Sequence, residues 1–244
     1  MCGRYALVKS AGELIEEFEI TTGAKPAALP ADWNIAPTRD IYIVRDAAEN
    51  NSARELVTVS WGLIAPWSKD RIEAVRSQSQ AINARTETVH EKPTFRSAFK
   101  SRRCLIPATG YYEWATELGK YESKQPFYIH SKFENKSLAF AGIYDRWVDE
   151  KGAVIESAAI ITRPAVDFLA TIHHRMPTFL PQDRWDEWLD PKQNSVEEVK
   201  ALMELSDPTF GLAAHPVSTR VNAVRNNGAE LIAEIDVSEP GTLF

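Results

Sequence analysis

The chain has 244 residues, 44% of them hydrophobic and 25% charged, enough to bury a real core in one large domain. Two cysteines, Cys2 and Cys104, make neither a disulfide framework nor by themselves a zinc site, and the five histidines show no ligand spacing. No metal and no cofactor is therefore expected. A formal charge of −6 argues against coating of duplex nucleic acid by bulk electrostatics, so any such contact has to come from a local groove. No apolar run is long enough to span a bilayer, and Met1-Cys2-Gly3-Arg4-Tyr5 carries no signal-peptide core. The expected location is the cytoplasm, or the nucleoid if DNA is the partner.

Ser10 and Glu13 form a capping box before Leu14, Ile15 and Phe18, which predicts a first helix. Ile41–Val44 and Leu56–Ser60 read as strands. Phe95, Ala98 and Phe99 have the spacing of a short helix or turn over 94–100. Four strand-like runs follow, at 103–106, 127–130, 138–144 and 154–162. Ala165, Phe168, Leu169 and Ile172 repeat at helical spacing. Trp185, Trp188 and Leu189 predict a second helix there, and Ser195 with Glu198 caps a third. Residues 215–218 and 231–235 read as closing strands or connectors, and 238–244 as a loose tail. Strands outnumber helices without strict alternation. That predicts an α+β fold with mainly antiparallel sheet, in one domain over 2–237.

Chemistry concentrates at the start. Met1 precedes a small side chain, the context in which methionine aminopeptidase acts, and its removal would leave Cys2 with a free α-amine beside its thiol. The reference pKa values are ~8 and ~8.5, so both groups are partly nucleophilic near neutrality. Such a 1,2-aminothiol converts an aldehyde first to a Schiff base and then to a five-membered thiazolidine. An internal cysteine cannot do this, because its nitrogen is locked in an amide. Taken alone, Cys2 reads equally as an inert tail residue.

That chemistry needs proton donors and acceptors. Glu113, within Gly110-Tyr111-Tyr112-Glu113-Trp114 and following a strand-like segment, would become an acid if buried, or be an exposed strand-edge carboxylate. His173, in Ile172-His173-His174-Arg175-Met176-Pro177, reads from spacing alone as a capping or core histidine. Asn83 offers paired donor and acceptor groups, and Arg85 shares its face if the segment is extended. Trp61 and Trp67, in a loop with Gly62 and Pro66, are candidates for stacking on bases or for closing a sheet edge. The same two readings apply to Trp33-Asn34-Ile35-Ala36-Pro37.

Together these segments, with Lys124-Gln125-Pro126, Ala141-Gly142-Ile143, His215-Pro216-Val217-Ser218 and Asn226-Asn227-Gly228, resemble the SOS-response-associated peptidase (SRAP) family of abasic-site-processing proteins. They follow the family's order over nearly the whole chain. The resemblance implies a β-rich, barrel-like α+β fold with peripheral helices, the N-terminus lying in a positively charged groove. It implies a monomer that binds abasic sites in single-stranded DNA, including sites at 3′ junctions, through a thiazolidine between Cys2 and the sugar aldehyde. On that resemblance Cys2 is the nucleophile, Asn83 orients it and the sugar, Glu113 assists ring opening and Schiff-base formation, and His173 aids proton transfer. Arg4, Arg85 and Arg175 match phosphate-holding positions, Asn34 joins the DNA-binding set, and Trp67 matches the part that separates junction from single strand. The family usually has aspartate where this chain has His174; adjacent side chains diverge, so one of the two histidines should face the site, and the motif register assigns it to His173.

Three other readings use the same residues. An N-terminal-nucleophile amidohydrolase would need a glutamine pocket whose motifs are missing here. A thiol peptidase would pair a Cys2 thiolate with His173 as base. A non-catalytic DNA-binding module would form no covalent species.

Overall fold

The computed structural model describes residues 2–47, 53–116 and 124–237. In chain order the elements are β1 (Tyr5–Leu7), α1 (Ala11–Glu17), β2 (Asp32–Ile35), β3 (Asp40–Asp46), β4 (Arg54–Trp61), α2 (Arg71–Gln80), β5 (Asn83–Arg85), α3 (Pro93–Ser101), β6 (Arg103–Ala108), β7 (Gly110–Trp114), β8 (Pro126–Ser131), β9 (Leu138–Val148), β10 (Val154–Pro164), α4 (Asp167–Ala170), β11 (Arg175–Pro177), α5 (Trp185–Leu189), α6 (Val196–Leu202) and β12 (Leu212–Pro216).

The strands form two sheets. One is open, in the order β12-β8-β7-β1-β2. In the other, β10, β4, β3, β6 and β9 pair in sequence and β9 pairs back to β10, so these five close into a ring. Closure removes the edges that an open sheet would expose. The barrel-like, mainly antiparallel sheet expected from the sequence is therefore present. Its exception is β10, which runs parallel to β4 and to β5. Eleven residues give β10 the length to serve β9 and β11 as well as those two. It thereby carries Asn83 on one neighbouring strand and Arg175 on another.

The core follows from the alternation and the apolar runs. Ile41, Ile43, Trp61, Phe140, Tyr5 and Tyr111 are at most 1% exposed, and the Tyr5 and Tyr111 rings meet Phe140 edge-on. Both sheets contribute to this one core. The capping box at Ser10 forms as its sequence predicts, with Glu13 returning a bond to the Ser10 N–H. Ser195 likewise caps α6 through the Glu198 N–H.

One expectation is corrected. The helix anticipated over 165–172 shrinks to the single turn of α4: β10 runs on to Pro164, and the Ala165 N–H is held by His174 O. Pairing of β10 with β11 takes precedence over helical spacing. Of the two readings of residues 231–235 the connector one holds: Leu231 ends a short 3₁₀ turn at Ala229–Leu231, and Glu234 makes a bridge to Val217. Helix α2 was not anticipated, because it has no apolar stripe; Ile72 and Val75 on it are exposed. Its signal was Asp70, which caps it through the Glu73 N–H. The predicted tail at 238–244 lies outside the described residues.

Candidate active site

Cys2 precedes β1 and is fully buried. β1 lies between β2 and β7, which brings Cys2 toward Glu113 on β7. The sequence placed Glu113 after a strand; it lies inside one, which is why it is buried at 3% exposure. Burial pushes its carboxyl from 4.5 up to about 7. The alternative of an exposed strand-edge carboxylate is thereby removed.

The loop between α4 and β11 brings in His173, whose Nδ1 stands 3.7 Å from Glu113 Oε2. Burial pulls the imidazole down to about 4. The Arg175 backbone N–H donates to the same Nδ1 at 3.0 Å, so near neutrality Nδ1 is an acceptor and the proton sits on Nε2. At 3.7 Å and with a neutral ring, Glu113 and His173 form neither an ion pair nor a direct hydrogen bond. Protonation of His173 would instead let Nδ1 donate to Arg175 O, 3.2 Å away. His174 is exposed, yet its ring packs on that of His173 at 4.3 Å between centroids. The two rings do not diverge as an ideal strand would make them.

Asn83 Nδ2 donates to Cys2 O at 2.9 Å, and Asn83 Oδ1 is buried without a hydrogen-bond partner among the described residues. The asparagine thus holds the Cys2 backbone with one end of its amide and keeps an acceptor for another group. Trp61 secures it from below: the indole N–H donates to Ile82 O at 3.1 Å. Trp61 is completely buried, so of its two readings the sheet-closing one holds. Burial also pushes the Cys2 thiol well above its ordinary 9.0, and Glu113 pushes it the same way. The partial thiolate expected from the free amino acid is therefore absent; the thiol is protonated in this site. The phenols of Tyr5 and Tyr111 stand close enough to be raised further by Cys2, and both stay neutral.

The five residues assigned to DNA fall into different environments. Arg85 is exposed and shares the extended β5 with Asn83, as the alternation required. Trp67 is 55% exposed, in the loop between β4 and α2. The base of that loop turns at Gly62, whose φ is +113° and where a Cβ would lie 2.4 Å from Gln78 O. The Trp147 indole fastens its far side to Ser68 O. Arg4 is half-buried, donating to Asn34 Oδ1 at 2.7 Å and Val221 O at 2.9 Å, with its guanidinium over the Trp114 ring. Asn34 is 2% exposed, and its Nδ2 lies within bonding distance of Val221 O, Ala223 O and Asn226 O. Direct contact between Asn34 and DNA does not fit this burial; Asn34 anchors the loop after β12. Arg175 is also buried, with its terminal nitrogens on Glu87 and Thr162 O. Glu87 and Thr162 carried no assignment from the sequence. The signal for Glu87 was the pattern Asn83-Ala84-Arg85-Thr86-Glu87 itself, whose last residue has an acidic partner's role only once β5 and β11 flank β10.

Among the described residues no group of three or more His, Cys, Asp or Glu could hold a metal ion. No helix among them is long and apolar enough to cross a membrane.

The model of the SOS response associated peptidase family matches residues 1–224. The chain belongs to the SRAP family. Abasic site processing protein YoaM of Bacillus subtilis is 36% identical over 233 residues, covering 95% of this chain and 97% of that protein. Abasic site processing protein HMCES of Gallus gallus is 32% identical over 219 residues, covering 82% of this chain and 62% of that longer protein. A crystal structure of a Bacteroides thetaiotaomicron protein superimposes with a TM-score of 0.82 at 26% identity, over 96% of this chain and 100% of that one. The SRAP fold of this chain thus brings together Cys2, Asn83, Glu113 and His173.

Proposed function

We propose that this SRAP protein recognises abasic sites in single-stranded DNA and bonds to them covalently through Cys2. The observation that carries the reading is the burial of Cys2 beside a carboxylic acid tuned to about 7. A protonated carboxyl at neutral pH is what carbinolamine dehydration needs, and a protonated thiol is no obstacle when the amine attacks first. The relatives named as abasic site processing proteins supply the substrate.

The sequence of events follows from the groups present. Met1 is removed, and the Cys2 α-amine becomes the first nucleophile. Glu113 passes a proton to the ring oxygen as the deoxyribose hemiacetal opens, and its carboxylate takes up the anomeric hydroxyl proton, which restores the acid. The amine adds to the aldehyde carbon and its extra proton passes to the alkoxide, Glu113 protonates the carbinolamine hydroxyl, and water departs to leave an iminium ion beside the Glu113 carboxylate. The Glu113 carboxylate then takes the Cys2 thiol proton while sulfur bonds to the iminium carbon, whose C=N electron pair returns to nitrogen, so that nitrogen ends as a neutral secondary amine and Glu113 as the acid. Aldehyde plus aminothiol give thiazolidine plus water. Asn83 holds the Cys2 carbonyl throughout, with Oδ1 free to accept from the amine or a sugar hydroxyl. His173, neutral with its proton on Nε2, relays protons at the sugar. Arg4 and Arg85 face phosphates, with the positive charge of Arg175 beneath them, and Trp67 stacks on a base at the junction with duplex.

A thiol peptidase finds less support. It needs a thiolate and a histidine base, whereas here the thiol is pushed up and His173 pulled down to about 4.

The deciding experiment incubates the protein with a uracil-containing single strand treated with uracil glycosylase and runs a denaturing gel. A shifted band that withstands denaturation, and is lost with Cys2→Ala, is expected. Mass spectrometry should place the adduct on an N-terminal Cys2 lacking Met1. No stable band from the wild type, or an undiminished one from Cys2→Ala, would overturn the reading.

A further inference from the structure

Arg175 joins three parts of the site. Its guanidinium meets the Glu87 carboxylate in two parallel hydrogen bonds, Nη1 to Oε1 and Nη2 to Oε2. Nη2 also donates to Thr162 O on β10 at 2.6 Å. From the same residue the backbone N–H donates to His173 Nδ1. Glu87 lies two residues beyond β5, the strand that carries Asn83. Its carboxyl, held down to about 2 chiefly by the hydrogen bonds from Arg175, stays ionised across the neutral range. Arg175 is 7% exposed, and a buried guanidinium deprived of its carboxylate is costly, so it would shift toward water. The backbone it carries would shift with it.

We propose that Glu87 is a positioning residue of the Cys2 site. By pinning the Arg175 guanidinium it pins the Arg175 peptide N–H, and that N–H sets the His173 ring with Nδ1 as acceptor and Nε2 as the proton-bearing atom. Planar two-point pairing fixes orientation as well as distance, which a single contact would not. Glu87 thus links the strand bearing Asn83 to the histidine that handles protons, without touching the reacting atoms. The effect on rate rests on the crosslinking function proposed above; the effect on His173 does not.

The test uses the full chain with Glu87→Gln and Glu87→Asp, each checked for wild-type circular dichroism. Nitrogen-15 spectra of the histidine rings in free protein should show His173 as the Nε2-protonated tautomer in wild type. Glu87→Gln should give mixed tautomers, and Glu87→Asp should retain most of the wild-type signal. With saturating abasic single strand, Glu87→Gln should slow the first-order crosslinking rate about 10- to 100-fold, as small misplacements of proton-transfer groups do. The DNA concentration for half-saturation should stay within about threefold, and Glu87→Asp should recover part of the rate. Unchanged His173 signals in Glu87→Gln would overturn the proposal. So would tighter DNA binding at an unchanged rate, since Glu87 would then be filling a phosphate seat on Arg175. If wild type formed no crosslink, the proposed function would fail while the spectra still decided the role of Glu87.

Discussion

Glu113 and His173 approach to 3.7 Å, and burial drives both toward their uncharged forms, the carboxyl up to about 7 and the imidazole down to about 4. Such a pair offers a donor and an acceptor together near neutral pH without charging the pocket. The order of values is inverted relative to free side chains, in which the carboxylic acid is much the stronger acid.

A pH dependence follows. The reactive form has Glu113 protonated, so the crosslinking rate should fall as pH rises through about 7, once the free-amine fraction is divided out. Glu113→Gln should lose most of the rate and the limb together. Single-turnover rates from pH 5.5 to 9 check this; a Glu113→Gln profile keeping the limb would assign it to another group.

The same carboxyl should weaken the fold above neutrality. Its folded value is raised above 4.5, so the folded state binds the extra proton between about 4.5 and 7, and stability falls as pH rises across that window. The cost is about 3 kcal/mol once both states are ionised. Glu113→Gln should therefore raise the melting temperature at pH 8 and change it little at pH 4.5. Equal shifts at both pH values would mean that the carboxylate carries no such cost.

These consequences show how much the sequence disclosed. Cys2, Asn83, Glu113 and His173 were singled out by the order of their motifs and the family resemblance it carries, because taken singly each residue had a bland structural reading as good as the chemical one. The α+β class was legible from strand-like runs, and two helix starts from their caps. What stayed hidden depends on partners remote along the chain. Parallel pairing of β10 with β5 is not encoded in either strand alone. The thiol of Cys2 looked partly ionised until its burial was known. Asn34 looked like an open amide, and its acceptors at Val221, Ala223 and Asn226 lie nearly 190 residues away. Helix α2 was missed because a helix that presents Ile72 and Val75 to solvent has no periodicity to find.

Asn34 should accordingly act on stability and loop order more than on DNA contact. Asn34→Ala removes the amide donor from Val221 O, Ala223 O and Asn226 O and takes away one of the two acceptors of Arg4 Nη1. A loss of about 1–3 kcal/mol is expected in chemical denaturation, with faster hydrogen exchange over 221–227. Weaker DNA binding at full stability and unaltered exchange would restore Asn34 as a direct contact.

The two tryptophans of the Trp61–Trp67 segment should separate cleanly. Trp61→Ala removes a fully buried indole that also holds Ile82 O, and should cost about 3–5 kcal/mol of stability. Trp67→Ala removes an exposed ring from a loop whose base is fixed at Gly62 and Ser68, so the melting temperature should hardly move. A stacked base contributes about 1–3 kcal/mol, which sets the expected loss of single-strand affinity at roughly 5- to 150-fold. Fluorescence anisotropy with a labelled single strand and with a strand–duplex junction measures it, and Cys2→Ala protein keeps the binding reversible. The larger loss should fall on the junction substrate. Unaltered affinity for both substrates would remove Trp67 from the DNA path and leave the groove to Arg4 and Arg85.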